Sequence, residues 1–449
     1  MKNQNRYQKF HEPLIDITMN NELKNKFLTI FPNLLNSFPA EPNYVKESRL
    51  KAIDALAAVP FPSSKDESWK YSLIQPLLVN TYSLPGNNFP SVKTSPPPVI
   101  HPGHFPDGAL INGYYCIDGI GAGTENNFML KSLSVAAGKN DGMLTSSFSV
   151  NGNADHSFFS HLNTAFWQDG IYIEIPCGKK TTKPVEINII SQGERILSQP
   201  RIFINSAKNS HAEIHIYFYG SDEGNSFTNL VQNIHLDENA FLNLVLFRSK
   251  DDNDILLNST EVQQETGSHF ISHIITLNGK WTRNVINVSL LGKESRAELF
   301  GLYTPSGDQF TDNRTRIEHR APNASSNEFY KGVMDGKSTA IFNGKIFVGR
   351  DAQKTNAFQS NKNLLLSDRA VVFSKPELQI YADDVKCTHG SATGSLDEDA
   401  LFYLRSRGMK YETAKKILVQ AFAGDIVAGV GSESLKNEIL SLIAGKFNS

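Results

Sequence analysis

From residue 108 to about 390 the sequence reads as strand after strand, with no helix-length periodic segment between them. Short runs of β-branched and aromatic residues alternate with polar ones, as in Ile171-Tyr-Ile-Glu-Ile175, Val185-Glu-Ile-Asn-Ile189 and Glu213-Ile-His-Ile-Tyr217. So long a stretch of strand must dispose of its open edges, because unpaired backbone groups invite aggregation. A weak internal repeat indicates how. A polar turn, a small residue and an apolar strand recur at Ala212, at Ala240, at the Gly267-Ser268-His269 turn, and at Ala297, Ala340 and Ala370. Subtracting positions gives spacings of 28, 29, 28, 43 and 30 residues. The long interval is expected to hold an insertion between Pro305 and Pro322. A period of about 30 built from strands alone fits the coils of a β-helix or solenoid, with a large β-sandwich as the alternative.

The flanks have a different period. Leu23, Phe27, Ile30, Phe31 and Leu34 recur at helical spacing, and Val45 to Val59 forms a second amphipathic segment ended by Pro60 and Pro62. Seven prolines between Pro85 and Pro106 forbid helix and central strand, so a connector is expected there. After Gly394 three helices are expected. Asp397 to Leu404 stops at Arg405-Ser-Arg-Gly408, where the glycine suits a C-terminal cap. Thr413 to Phe422 puts Ala414, Ile417, Leu418, Ala421 and Phe422 on one face, and Leu435, Ile439, Leu442, Ile443 and Phe447 mark the third. The expected division is residues 1–107, helical with the proline-rich connector; 108–394, the β core; and 395–449, a helical domain.

Charge and cysteine usage narrow the class. With 44 basic and 46 acidic residues the net charge is −2, which gives nucleic acid or an anionic membrane surface no general hold. The first 30 residues contain no apolar run suited to a signal peptide, and no stretch reaches bilayer-spanning length. Cys116, Cys177 and Cys387 are too few and too scattered for a disulfide framework. The expected address is the cytoplasm.

Several motifs suggest chemistry. Lys331-Gly332-Val-Met-Asp-Gly336-Lys337-Ser338 is one residue short of a phosphate-binding loop, and Thr339 to Phe342 after it reads as strand where that loop needs a helix, so a β-turn is expected. Gly119-Ile-Gly121-Ala-Gly123 lacks the spacing of a dinucleotide fingerprint and reads as a loop. The pairs His211/His215 and His269/His273 each share a strand face, but two imidazoles alone make a poor metal site, and solvated or core histidines are expected. Asp383-Asp384 with His389-Gly390 offers an acid and a base for a β-helix glycoside hydrolase or lyase acting on polysaccharide. Cys387-Thr388-His389 places a thiol and an imidazole on one strand face, where both could meet a soft metal or a sulfur species.

An ordered set of segments then weighs on these alternatives. Asp312-Asn-Arg-Thr315, His319, Pro322, Ser325-Ser326 and Tyr330-Lys331-Gly332 come first. Ala352-Gln353-Lys-Thr355, Gln359-Ser-Asn361, Leu364-Leu-Leu-Ser-Asp368 and Lys375-Pro-Glu-Leu378 follow. Asp383-Asp-Val-Lys-Cys-Thr-His-Gly390 and Leu401-Phe-Tyr-Leu-Arg-Ser-Arg-Gly408 close the run. From about residue 310 to 425 this set closely resembles the SufB/SufD family of iron–sulfur cluster assembly proteins. Upstream the likeness is carried only by Trp69-Lys-Tyr71, Asp169-Gly170 and Pro200-Arg201. Within the family the sequence is similar to the SufD type. SufB-type chains carry a sulfur-receiving cysteine shortly before the Leu-Leu-Ser-Asp-like segment, where this chain has Asn361 and no thiol nearby.

The resemblance implies a right-handed parallel β-helix flanked by N- and C-terminal helical domains. It implies a non-catalytic scaffold that pairs with a SufB-like paralogue and binds a SufC ATPase through its C-terminal helices. A homodimer is the alternative assembly for the isolated chain. A transient iron–sulfur cluster would form at the SufB–SufD interface, with His389 contributing and Cys387 as a second candidate. For the ATPase contact, Leu401, Phe402, Tyr403, Arg405 and Arg407 combine the aromatic and guanidinium groups enriched at interface hot spots. The alternative is that the three apolar side chains cap the solenoid, but adjacent helical residues are turned about 100° apart and cannot share one face.

Overall fold

A computed structural model describes residues 15–38, 41–72, 74, 77, 82–84, 106–116, 127–138, 144, 148, 157–221 and 224–447. The proline-rich stretch, apart from Pro106, and the Gly119-Ile-Gly121-Ala-Gly123 segment lie outside them. The chain divides into two units of internal contact, one drawn from residues 1–81 and 140–166, the other from 82–139 and 167–449.

The first unit is helical. Helix α1 spans Ile15–Asn36 and α2 spans Asn43–Ala58, the two segments whose spacing reads as helical. Lys24 donates to Ala57 O at 2.7 Å and Val59 O at 2.8 Å, supplying carbonyls at the end of α2 with a cation. Helix α3 (Ser157–Phe166) contradicts the expectation of unbroken strand, as does a short helical turn at Leu133–Ala137 in the second unit. Its buried Phe158, Phe159, Leu162, Ala165 and Phe166 fall at i, i+1, i+4, i+7 and i+8, one helical face set inside strand-rich sequence. Phe166 meets Phe27 and Phe31, each at 5.7 Å between ring centroids, and Phe158 meets Phe61 at 4.7 Å.

The second unit is mainly β. One sheet orders β2 (Tyr114–Cys116), β1 (Gly108–Ile111), β5 (Val185–Ile190), β8 (His211–Tyr219), β10 (Phe241–Arg248), β12 (His269–Thr276), β14 (Arg296–Tyr303), β16 (Ser325–Met334), β18 (Asn356–Leu365) and β20 (Lys386–Gly394). The other orders β3 (Met129–Ser132), β4 (Gly170–Ile175), β7 (Arg201–Ser206), β9 (Phe227–Leu236), β11 (Ile255–Gln264), β13 (Trp281–Leu290), β15 (Phe310–His319), β17 (Thr339–Val348) and β19 (Val371–Ile380). The two-residue β6 (Leu197–Ser198) pairs with β9. Apart from β1–β2 and β3–β4, every pairing among the described residues is parallel. From β7 and β8 onward strands alternate between the sheets, so the chain winds as a parallel β-solenoid, and the sandwich alternative falls.

Register shows the true repeat. Phe241, His269, Arg296, Ser325, Asn356 and Lys386 stand in line on the first sheet, at steps of 28, 27, 29, 31 and 30 residues. The 43-residue interval holds no insertion. Ala297 lies in β14 and Ala340 in β17, on opposite sheets, so the interval is one turn and a half. The stretch expected to be inserted contains β15. The small-residue signal mixes positions: Ala240 and Ser268 belong to a buried corner series with Ser210, Ser295, Ala324 and Thr355, each preceding a first-sheet strand, whereas Ala212, Ala297 and Ala340 are the second residues of β8, β14 and β17 and Ala370 precedes β19. Inside, β-branched ladders run the length of the coil, as in Ile173, Ile204, Ile234, Val262, Val288, Ile317 and Ile346. Each such side chain contributes roughly 1.5–3 kcal/mol by leaving water.

One residue before that corner the backbone is left-handed in every turn: Asn209, Asn239, Gly267, Glu294, Asn323 and Lys354 have φ of 57°, 56°, 67°, 61°, 59° and 60°. Their amides donate to the next turn, as Asn239 N does to Thr266 O at 2.9 Å. Asparagine and glycine visit this region readily, whereas a Lys or Glu there stores strain. Lys354→Asn is therefore expected to raise stability by about 0.5–1 kcal/mol, read as a higher melting temperature; an unchanged or lower one would show that the strain is relieved elsewhere.

Three helices follow β20. Helix α4 (Glu398–Ser406) is capped by Asp397, which accepts from Asp399 N and Ala400 N at 3.0 Å, and it ends before Gly408 with φ 89°. Helices α5 (Tyr411–Ala428) and α6 (Glu433–Lys446) pack on the outer face of the first sheet. Val419, Ala423, Ile426, Leu435, Ile439 and Ile443 meet Tyr217, Val245, Phe247, Ile275, Leu302 and Val333. Lysines pin this seat: Lys331 Nζ reaches Phe422 O and Asp425 Oδ2, both at 2.7 Å, and Lys446 Nζ reaches Leu277 O and Asn278 Oδ1.

Candidate functional site

Among the described residues strand β20 is the last of its sheet, paired with β18 on one side only. Its register sets which way its side chains face. Ala357, Gln359 and Asn361 of β18 stand beside Cys387, His389 and Ser391. Gln359 and Asn361 are buried in the lumen, so the alternation of a strand puts Cys387 and His389 on the lumenal side of an open end. Cys387 is half-buried and His389 exposed. Burial pushes the Cys387 thiol up, against a smaller pull from the Ala357 amide, so the chain supplies little thiolate here. Among the described residues no group of three or more His, Cys, Asp and Glu has the geometry of a metal site. An imidazole and a thiol two residues apart make part of a ligand set.

Behind this end the lumen turns polar. Glu328 of β16 is wholly buried, accepts from the Thr315 hydroxyl, and takes Gln359 Nε2 at 2.7 Å. A second file runs from buried Tyr303, whose hydroxyl meets Asn363 Oδ1 at 2.6 Å and Asn361 Nδ2 at 2.9 Å. It continues through Ser374 to Ser391 on β20, each step 2.8 Å. Asn361 is thus a buried link in this file. Glu328 gives no signal in the sequence. Its parity on a strand is legible, but not that the inward face at this level is polar.

Burial raises the Glu328 carboxyl to about 7, while the bonds from Thr315 and Gln359 pull it down. A carboxyl held higher when folded than its ordinary 4.5 adds stability below about pH 4.5 and loses it as pH climbs through about 7. Glu328→Gln removes that dependence. The stability of the wild type relative to this variant is expected to fall from pH 4.5 to 7 in paired denaturant melts; a flat difference would contradict a buried, titrating Glu328.

The other sequence candidates separate. Helix α4 has no buried residue. Phe402 is 75% exposed and Tyr403 56%, Arg405 and Arg407 are exposed, and Leu401 is half-buried. Arg407 lies over the Tyr403 ring at 5.2 Å. The apolar side chains of α4 therefore do not cap the solenoid. Only Ser395, Leu396 and Asp397 join β20 to this helix. His215 and His273 are buried, His215 held by Glu213 at 2.6 Å and His273 stacked on Phe300, while His211 and His269 pack on either side of Phe241. They are core and packing histidines, and burial pushes His273 down to about 4. Residues 331–338 run from β16 through a turn at Gly336 into β17, as a corner between the two sheets and not a phosphate loop. Asp383 and Asp384 are exposed in the turn between β19 and β20.

Comparison with known proteins bears on what such an end is for. Residues 188–422 match the family model described as "SUF system FeS cluster assembly, SufBD core domain". The chain is 31% identical over 296 residues to the iron–sulfur cluster assembly protein SufD of Escherichia coli, covering 64% of this chain and 68% of that protein. It is 26% identical over 422 residues to an iron–sulfur cluster assembly SufBD family protein of Synechocystis, covering 90% and 91%. It is 28% identical over 428 residues to the chloroplastic protein ABCI7 of Arabidopsis thaliana, covering 92% and 88%.

Proposed function

Because the chain belongs to the SufBD family of SUF-system iron–sulfur cluster assembly proteins, we propose that it is a SufD-type, non-catalytic scaffold that pairs with a SufB-like paralogue and a SufC ATPase. The observation that carries this reading is β20: an edge strand, paired with β18 on one side and with no strand on the other among the described residues, whose lumenal face presents His389 and Cys387 as an incomplete ligand set. Its free backbone edge suits pairing with a similar coil, which would bring the missing donors. Neutral imidazole is a competent iron ligand, and a raised thiol is a poor sulfur acceptor, so His389 would contribute to a transient cluster at the interface with Cys387 secondary. Without the paralogue, the same edge is open to a second copy of this chain.

The exposed aromatic and arginine residues of α4 would dock the ATPase: Phe402, Tyr403, Arg405 and Arg407, with Leu401 at their base. Nucleotide chemistry is assigned to that partner, in keeping with the strand–turn–strand geometry at Gly332 to Lys337. The right-handed sense of the coil is part of the proposal, supported by the strong preference of parallel crossovers. So is the division at 107/108 and 394/395, supported by β1 starting at Gly108 and β20 ending at Gly394. A cytoplasmic address agrees with the SufD likeness, while one relative is chloroplastic by name; no helix among the described residues is long and apolar enough to cross a membrane. The polysaccharide reading is not favoured, since the family is one of cluster assembly.

Affinity purification of the tagged full chain from its native host tests the proposal. A paralogue and an ATPase of the same system should travel with it in stoichiometric amounts. Recovery of the chain without either would overturn the scaffold reading.

A further inference from the structure

His389 stands beside Gln359 in register, and Gln359 beside Glu328, on three successive turns with all three side chains on the lumenal side. Glu328 and Gln359 are wholly buried. An amide touching a carboxylate turns its N–H toward it, so the 2.7 Å contact commits Gln359 Nε2 to Glu328 Oε2. Thr315 donates to the other carboxylate oxygen, which leaves Glu328 no freedom to turn away. On the opposite sheet a Cβ at Gly344 would lie 2.1 Å from Gln359 Nε2, so the glycine leaves the space that this amide fills. With the amide's sense fixed, Gln359 Oε1 is buried and has no hydrogen-bond partner among the described residues. A buried carbonyl oxygen without a donor is costly and uncommon. The side chain in direct register with it on the next turn is the imidazole of His389.

We propose that Gln359 is a positioning residue for His389, with Glu328 behind it: the two side chains are not bonded in this structure, and a turn of the exposed imidazole toward its register neighbour lets Gln359 Oε1 accept the N–H of one ring nitrogen, so the other nitrogen faces the open end with its lone pair free. The inference rests on the reading of His389 as a ligand. A neutral imidazole binds iron through its unprotonated nitrogen, and the acceptor behind the ring decides which nitrogen that is. Glu328 acts at one remove, by keeping the amide from flipping.

The test is ¹⁵N-histidine NMR of the full chain at about pH 8, above the ordinary histidine range. The His389 resonances are assigned by their loss in His389→Ala. The wild type should show two well-separated ring-nitrogen resonances of a single tautomer. Gln359→Met keeps side-chain volume and removes the acceptor, so the pair should collapse toward the average of an unanchored ring. Glu328→Gln should move it part of the way, because an amide at 328 accepts either sense of Gln359. An averaged pair in the wild type, or a single tautomer persisting in Gln359→Met, would overturn the proposal. Should Gln359→Met fail to fold, Glu328→Gln decides in its place, and an unshifted pair there overturns it. Cluster yield in the reconstituted complex is read separately, and a fall of about tenfold is expected for Gln359→Met. If the tautomer shifts and yield does not, the hydrogen bond stands and the ligand role of His389 falls.

Discussion

Phe402→Asp is expected to weaken binding to the ATPase partner by about 30- to 1000-fold while leaving the melting temperature of the chain unchanged. The range corresponds to the loss of roughly 2–4 kcal/mol typical of an aromatic hot spot. The unchanged stability follows from position: Phe402 is the most exposed large apolar side chain described, on a helix with no buried residue. The substitution therefore removes no core packing and creates no cavity. Truncation at residue 394 would be a poor substitute. It would strip α5 and α6 from Tyr217, Val245, Phe247, Ile275, Leu302 and Val333, and uncover Lys331, so loss of solubility is expected before any effect on binding can be read. Wild-type affinity in a folded Phe402→Asp protein, measured by calorimetry with the purified ATPase, would place the docking surface elsewhere.

His389→Ala is expected to cut cluster yield in a reconstituted complex by at least about tenfold, since groups behind ligands already cost about 10- to 100-fold and loss of a ligand should cost no less. Folding should be nearly untouched because the side chain is exposed. Pairing with the paralogue should persist too, as it would draw on the backbone edge of β20 and not on one imidazole. Cys387→Ala should have the smaller effect, because burial holds the thiol protonated. Equal cluster yields in wild type and His389→Ala, with the complex intact, would leave His389 a structural residue of the strand.

The sequence by itself determined the local matters. Alternation marked the strands, helical spacing marked α1, α2 and the three C-terminal helices, and a small residue every turn marked the coil, because these patterns depend on neighbours a few residues apart. Family resemblance pointed to Cys387 and His389. Three things only the tertiary structure decided. The sheet to which each strand belongs was hidden, so the step from Ala297 to Ala340 looked like an insertion when it was one turn and a half. The seat of α5 and α6 on the outer face, held by Lys331 and Lys446, joins residues far apart in the chain and leaves no periodic trace. The lumenal file of Glu328, Gln359 and His389 needs the register of turns about 30 residues apart. Lumenal and outward positions alternate residue by residue, so a slip of one would send all three side chains to the other face, and only the closed coil fixes which face is in.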